Sequence, residues 1–510
     1  MDLLPFIIEI TLFLSAITFY ILRKSITTLS ITSQTTAPEP PGAWPIIGHL
    51  HLLSGQTPVA RILGAMADKY GPIFSLRLGS HPGLVVSSWE TIKDCFTTND
   101  RVFATRPSLA VGKYLCYNYA VFALAPYGPY WREIRKVVTL QLMTAHRLDM
   151  LSPIRTSEVN IFIKKLYYDI PNKVELNTSF ENLTFNIILR KLAGKRLTSE
   201  DWQLKEAIKK ALYLSGVFVY SDAIPSLEWL DIGGYIKGMK ESAKEIDEVL
   251  TEWVKDRIRN GIRKGEEGEM SDFLEVMLSS IPENGEVSGY DRETVIKATM
   301  LILILTGSES TAETLIWALS LLLNNPQAME MAQQELQTNI GPLKWVQESD
   351  IKNLKYLQAI VKETLRLYPP GPLGGPREAT EDCYVGNYYV PKGTRLVVNL
   401  WKLHRDPNVW SDPNEFRPER FLDEHNRINF KGQCFEYIPF TSGRRMCPGM
   451  IFGLQVIEFT LARLLQGFNI STPMGDKVDM GEGLGIALPK LKPLEVVLTP
   501  RLERGLYESL

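Results

Sequence analysis

Cysteine is scarce in this chain. Its 510 residues hold five, Cys95, Cys116, Cys383, Cys434 and Cys447, and no two form a C-x-x-C pair. That excludes a disulfide framework, argues against a zinc or iron–sulfur site, and suits a reducing compartment. Basic excess is also missing: 56 Lys and Arg against 58 Asp and Glu leave a net charge of −2. Without that excess the chain has little with which to neutralise phosphates, so nucleic acid is not an expected partner. The length alone would allow roughly three domains of about 150 residues each. No internal repeat, low-complexity tract or Gly/Ser linker separates them, so one large domain is expected. No flavin or nicotinamide fingerprint is present either.

Long apolar runs are not missing. Leu3 to Leu22, "LLPFIIEITLFLSAITFYIL", carries a single charge, Glu9, and at about 1.5 Å per residue it reaches across the roughly 30 Å of a bilayer core. Arg23 and Lys24 follow at once. Positive-inside logic then predicts residues 1–24 as a single-pass membrane anchor with the body of the protein in the cytosol. A cleaved signal peptide would place its basic residues on the other flank. With this topology the acceptor patterns at Asn177, Asn182 and Asn469 face the cytosol and stay unglycosylated. Residues 25–48 read as a connector and proline-rich hinge, with Pro38, Pro40, Pro41 and Pro45 stiffening the path into a domain at 49–510.

Within that domain "GPIFSLRLG" and "GLVVSS" read as strands. Turns at Gly386-Asn387 and Lys392-Gly393 predict two or three more in "YVGNYYVPKGTRLVVNLW". Most other segments read as helix: "YWREIRKVVTLQLM", "SAKEIDEVLTEWVKDRIRNGI", the long run from about Arg292 to Asn324, "LKYLQAIVKETLRLY", and the stretch after Cys447. "RKGEEGEMSDF" reads as a solvated charged connector. The predicted class is mainly α with a minor β-sheet.

Cys447 sits in "PFTSGRRMCPGM", with Arg444 and Arg445 before it and a predicted helix N-terminus after it. A lone cysteine usually packs as a small hydrophobe. Positive surroundings and a helix N-terminus are instead what a metal-binding thiolate needs. Elsewhere Glu363 and Arg366, three apart on one helix, share a face in an apolar neighbourhood, and Arg420 in "RPERF" offers a third member of a buried ion cluster.

Read in order, E-x-x-R, P-E-R-F and F-x-x-G-x-R-x-C-x-G (Phe440, Gly443, Arg445, Cys447, Gly449) resemble the cytochrome P450 family of haem-thiolate monooxygenases. W-x-x-x-R at Trp131–Arg135 and an interrupted long helix at "TGSEST" agree, and the resemblance spans the whole chain. It implies the cytochrome P450 fold, with Cys447 as the axial ligand of haem iron. Gly443 and Gly449 would let amides approach the sulfur, and Phe440 would shield the proximal face. Trp131, Arg135, Arg377 and Arg445 would serve the haem propionates, with Glu363, Arg366 and Arg420 as a structural triad beneath the haem loop. In the distal helix Gly307 and the hydroxyls of Ser308, Ser310 and Thr311 would bend the helix. Glu309 and Ser310 occupy the family's acid–alcohol positions for proton delivery, with Thr306 and Ser310 departing from its usual small residue and threonine. Ser308 and Thr311 are the competing hydroxyls. Electrons would come from NADPH through a membrane-bound NADPH–cytochrome P450 reductase docked near the Cys447 loop.

The substrate pocket implied by position draws on residues 109–124, 214–229, the distal helix before Gly307, 369–376 and 483–489. These are largely apolar, so a neutral lipophile is expected. "CFTTNDRVFATRP", "LTFNIILRKLAGKR", "NLKYLQAIVKETLRLYPP" and "LWKLHRDP" resemble plant microsomal members, both homoterpene synthases and alkaloid or flavonoid hydroxylases. The homoterpene synthases cleave nerolidol or geranyllinalool oxidatively, and their likeness includes the Gly-Ser-acid-Ser-Thr run. That implies an endoplasmic reticulum enzyme of terpenoid metabolism. Two other classes remain: a reductase-independent haem-thiolate isomerase or dehydratase, which would lack the acid–alcohol pair, and a non-catalytic scaffold, which would not need Cys447.

Overall fold

A computed structural model describes residues 35–197, 202–260, 272–283 and 285–510. The anchor expected at 1–24 and most of the charged connector at 263–273 lie outside the described residues. The end of that connector, Asp272 and Phe273, opens a short helix instead, because the Asp272 side chain accepts the Glu275 N–H and caps it.

About 53% of the structure is helical. In chain order the elements that position the site begin with helix α1 (Val59–Tyr70), strands β1 (Ile73–Leu78) and β2 (His81–Val86), and helix α2 (Pro129–Val137). Next come helix α3 (Ser152–Tyr168), strand β3 (Val174–Glu175), and helices α4 (Leu176–Ala193), α5 (Trp202–Gly216) and α6 (Tyr235–Arg259). Helices α7 (Arg292–Asn324), α8 (Pro326–Asn339) and α9 (Lys355–Leu367) form the middle of the chain. Strands β4 (Arg377–Glu378) and β5 (Arg395–Val398), helix α10 (Met450–Gly467), and strands β6 (Phe468–Ser471) and β7 (Glu495–Pro500) complete the set.

Helix α7 is the spine. It starts where the Asp291 side chain accepts the Thr294 N–H at 2.9 Å, and it ends at Asn324, before Pro326 opens α8. It carries leucine and isoleucine around most of its circumference and is buried there, each such side chain contributing roughly 1.5–3 kcal/mol, with an opening at Thr306–Ser310. It is long and apolar enough to cross a membrane, but 78% of its apolar window is buried, which makes it a core helix. α4 packs along it, and α9, α8 and α10 close the other side.

The predicted strands are present. β1 and β2 form an antiparallel pair, β5 joins β2 in parallel, and β4 completes the sheet in the order β1-β2-β5-β4. The turn at Gly386-Asn387 joins the hairpin Cys383–Val385 and Tyr388–Val390. A second sheet, β6-β7-β3, lies near the C-terminus. The helix predicted over "YWREIRKVVTLQLM" is α-helical only to Val137 and continues as a π-turn over Val138–Leu142. The interruption expected at "TGSEST" is not there: α7 runs unbroken from Arg292 to Asn324. The hydroxyls do bond back to carbonyls one turn earlier, but they share those acceptors with the backbone N–H groups instead of displacing them.

Candidate active site

The loop before α10 folds back on itself. Thr441 N–H reaches the Ile438 carbonyl at 2.8 Å, Met446 N–H reaches that of Gly443 at 3.1 Å, and Cys447 N–H reaches that of Phe440 at 3.0 Å. The Phe440 ring stands edge-on to Phe430 with centroids 5.5 Å apart. Gly449 and Met450, at the N-terminus of α10, direct their amides at the Cys447 sulfur. Burial pushes this thiol up, while those two amides and Arg135 draw it down. Protein encloses Cys447 on every side, yet its surface is open, so it borders an internal void.

Gly443 packs against a carboxylate. It lies at φ +69°, and a Cβ there would stand 2.2 Å from Asp100 Oδ1. The close approach serves Asp100, which accepts the Arg444 N–H at 3.1 Å and pairs with its guanidinium. Gly449 stands beside the sulfur, where a Cβ would lie 4.0 Å from Sγ.

Around the void the charge is lopsided. Arg445 is buried over the Trp131 ring at 4.5 Å, and it donates to the carbonyls of Ala104, Phe122 and Ala125 at 2.6, 3.0 and 2.6 Å. Arg135 donates to the Met446 carbonyl at 2.6 Å. Arg377 is fully buried, bonds the Ser442 carbonyl at 3.3 Å, and leaves Nε and Nη1 without partners. Arg106, which the sequence reading did not single out, donates to the Ala123 and Pro376 carbonyls. Burial first, then the neighbouring guanidiniums, push Arg445 down to about 8 and Arg377 down to about 9. Asp100, the carboxylate near Arg377, is already committed to Arg444. Four cations short of anions beside an open thiol fit a planar group carrying two carboxylates and a thiophilic metal, as haem does.

Glu363, Arg366 and Arg420 meet in one cluster. Arg366 holds Glu363 through Nε to Oε2 at 2.6 Å and Nη2 to Oε1 at 2.8 Å, and Arg420 Nε reaches Oε1 at 3.0 Å. All three side chains are closed to solvent. Arg366 also donates to the carbonyls of His404, Pro413 and Glu415, which ties α9 to the loop leading toward Cys447.

On α7 the hydroxyls divide. Ser310 is half-buried and Thr306, one turn earlier on the same face, is exposed; Ser310 Oγ donates to the Thr306 carbonyl at 2.7 Å. Ser308 and Thr311 are buried and bond the carbonyls of Ile304 and Gly307. Thr311 faces α10, near Gly453. Glu309 lines a cavity of about 890 Å³, and burial, then Glu181, push its carboxyl up to about 7. Glu313, one turn on, lines the same wall, accepts the Lys490 N–H at 3.4 Å, and is pushed up to about 8, mainly by burial. Nothing in the sequence separated it from the apolar face around it.

The cavity walls come from residues 53–60, α4, α5 and the segment after it, α7 from Ser308 onward, Pro372-Leu373 and 483–489. Residues 109–124 do not contribute to this wall. Ala110, Val111, Leu115 and Cys116 are buried in the core, and Phe122 lends its carbonyl to Arg445. Most of the lining is apolar, with Glu181, Lys205, Lys209, Glu309 and Glu313 forming a charged margin.

Comparison with known proteins agrees with this geometry. The family model described as Cytochrome P450 matches residues 38–495. The chain is 50% identical to dimethylnonatriene synthase of Arabidopsis thaliana, over 99% of both chains. It is 46% identical to flavonoid-6-hydroxylase of Mentha piperita, over 97% of this chain and 98% of that one. Among solved structures, a zebra fish cytochrome P450 with progesterone superposes with a TM-score of 0.75 at 25% identity, covering 87% of this chain and all of the other.

Proposed function

The chain belongs to the cytochrome P450 family, and on that premise we propose that it is a homoterpene synthase, cleaving oxidatively the carbon–carbon bond beside the alcohol carbon of (E)-nerolidol or (E,E)-geranyllinalool. As a family member it is an oxidoreductase that uses haem held through a cysteine thiolate, with electrons delivered by a reductase. The full-length identity to dimethylnonatriene synthase carries the substrate reading. The apolar cavity supports it, since a neutral isoprenoid alcohol gains by leaving water there.

In this reading Cys447 would hold the iron, and Arg377, Arg445, Arg135 and Trp131 would receive the two carboxylates. When bound, haem supplies the activation of O₂ that oxidising an unactivated carbon requires. The chain's own residues do the rest. The Gly449 and Met450 amides spread charge away from the sulfur. Glu309, held near neutral pH by burial, stores a proton at the cavity wall. Ser310, half-buried beside exposed Thr306, passes protons inward, a role that buried Thr311 serves less well. NADPH–cytochrome P450 reductase supplies the electrons at the Cys447 face, and residues 1–24 hold the enzyme on the endoplasmic reticulum with its catalytic domain in the cytosol.

Microsomes bearing the enzyme and reductase, given NADPH and each alcohol, should release the shorter volatile polyene by gas chromatography and mass spectrometry. Haem-loaded enzyme that consumes neither alcohol overturns the reading. The likeness to flavonoid-6-hydroxylase makes flavonoid hydroxylation the second reading, scored by the same assay with flavonoids.

A further inference from the structure

One wall of the cavity is a loop whose tip has little packing of its own. Residues 483–489 project from a bridge between Glu482 and Lys490, closed at the base by Gly483 N–H to the Pro489 carbonyl at 2.7 Å and Leu491 N–H to that of Gly481 at 2.8 Å. Leu484 and Ile486 at its tip remain 59% and 49% exposed, whereas Ala487 and Leu488 are buried, so burial holds the returning arm and leaves the tip open. Side-chain pins at its base add to that hold. From α7, Trp317 Nε1 donates to the Leu488 carbonyl at 2.9 Å.

The other pin crosses the cavity margin. Pro58, Val59 and Ala60, at the start of α1, form the facing wall. The next residue, Arg61, grips Glu482 with Nε to Oε2 at 2.7 Å and Nη2 to Oε1 at 2.8 Å. The Glu482 side chain is only 1% exposed. Arg61 in turn lies 5.3 Å from the Trp401 ring centroid. Trp401 fits there because residue 64 is glycine: a Cβ would come within 3.0 Å of the ring. A two-pronged guanidinium fixes both distance and angle between the walls, which a lysine ammonium does not.

We propose that Arg61 is a positioning residue that determines specificity: its pair with Glu482 sets the gap between the first turn of α1 and the 483–489 loop, and so the girth of lipophile the cavity admits. The proposal rests on reading the cavity as the substrate cavity but not on which lipophile occupies it.

The test uses full-length, haem-loaded enzyme and two probes independent of the natural substrate, slender N-octylimidazole and bulky N-adamantylimidazole, titrated by their optical shift. The wild type should prefer the slender probe. Arg61→Ala and the near-isosteric Glu482→Gln should shrink that preference by roughly tenfold. Arg61→Lys should shrink it less, and the exchange Arg61→Glu with Glu482→Arg should recover most of it. The carbon monoxide difference spectrum monitors haem loading, and where Arg61→Ala loads poorly, Glu482→Gln and Arg61→Lys decide. An unchanged preference in a loaded variant overturns the proposal. If terpene alcohols prove not to be substrates while the preference still shifts, only the substrate reading fails.

Discussion

Glu363 and Arg366, less than one turn apart on α9, meet through two hydrogen bonds of 2.6 and 2.8 Å with neither side chain open to water. Exposed pairs at this spacing contribute a few tenths of a kcal/mol. This one differs because Arg366 also holds three carbonyls and Glu363 also accepts the Arg417 N–H at 2.9 Å. Glu363→Ala strands two buried guanidiniums and should cost about 3–5 kcal/mol. The expected outcome is little folded, haem-loaded protein on expression. Normal haem content with turnover alone lost would make the pair catalytic instead.

Cys447→Ala removes the soft donor that borders the void. Reduced protein under carbon monoxide should lose the red-shifted absorption band typical of thiolate-ligated haem. The triad lies outside this contact, so the variant should still fold, as far-ultraviolet circular dichroism would show. Persistence of the band would reassign the ligand.

What the sequence made legible was local. The span of α7, from about Arg292 to Asn324, was readable from its long apolar run, and the hairpin at 383–390 from Gly386-Asn387. Glu363 and Arg366 were readable because three residues separate them. The unread parts are joined across the chain. Gly443 serves Asp100, and Arg444, next to it, is 344 residues from that partner. Arg61 and Glu482 are 421 residues apart. Arg106 and Glu313 acquire their importance from what the fold packs around them, and no spacing rule encodes that. The absence of a break in α7 is similar: hydroxyl residues predispose a helix to bend, but packing decides whether it does.

Glu309 should leave a signature in stability against pH. Burial first, and Glu181 second, raise its carboxyl from an ordinary 4.5 to about 7. Between those values the folded chain holds a proton that the unfolded chain has released, so this group's contribution is full below the lower value and is lost as pH rises through the upper one. Glu309→Gln removes that term. Melting temperatures followed from about pH 5 to about pH 7 should fall less steeply in the variant than in the wild type. Parallel profiles would mean that Glu309 is ionised in the folded enzyme and stores no proton.

Ser310 and Thr311 are adjacent in sequence but sit in different surroundings. Ser310 is half-buried and shares the open face of α7 with Thr306, whereas Thr311 is 4% exposed, bonds the Gly307 carbonyl at 2.9 Å and faces α10. A hydroxyl that hands on protons must be able to leave its parked hydrogen bond and meet a partner in the void, and only Ser310 of this pair has the room. Ser310→Ala should therefore let NADPH be consumed while peroxide accumulates and product falls, on the order of the 10²-fold contribution of one positioned proton donor. Thr311→Ala removes a buried packing methyl and should lower stability by about 1 kcal/mol with coupling intact. Measuring peroxide formed per NADPH oxidised in both variants separates the two residues. A coupled Ser310→Ala beside an uncoupled Thr311→Ala would give the role to Thr311, and would show that solvent-open surface on α7 is a poor guide to which hydroxyl passes protons.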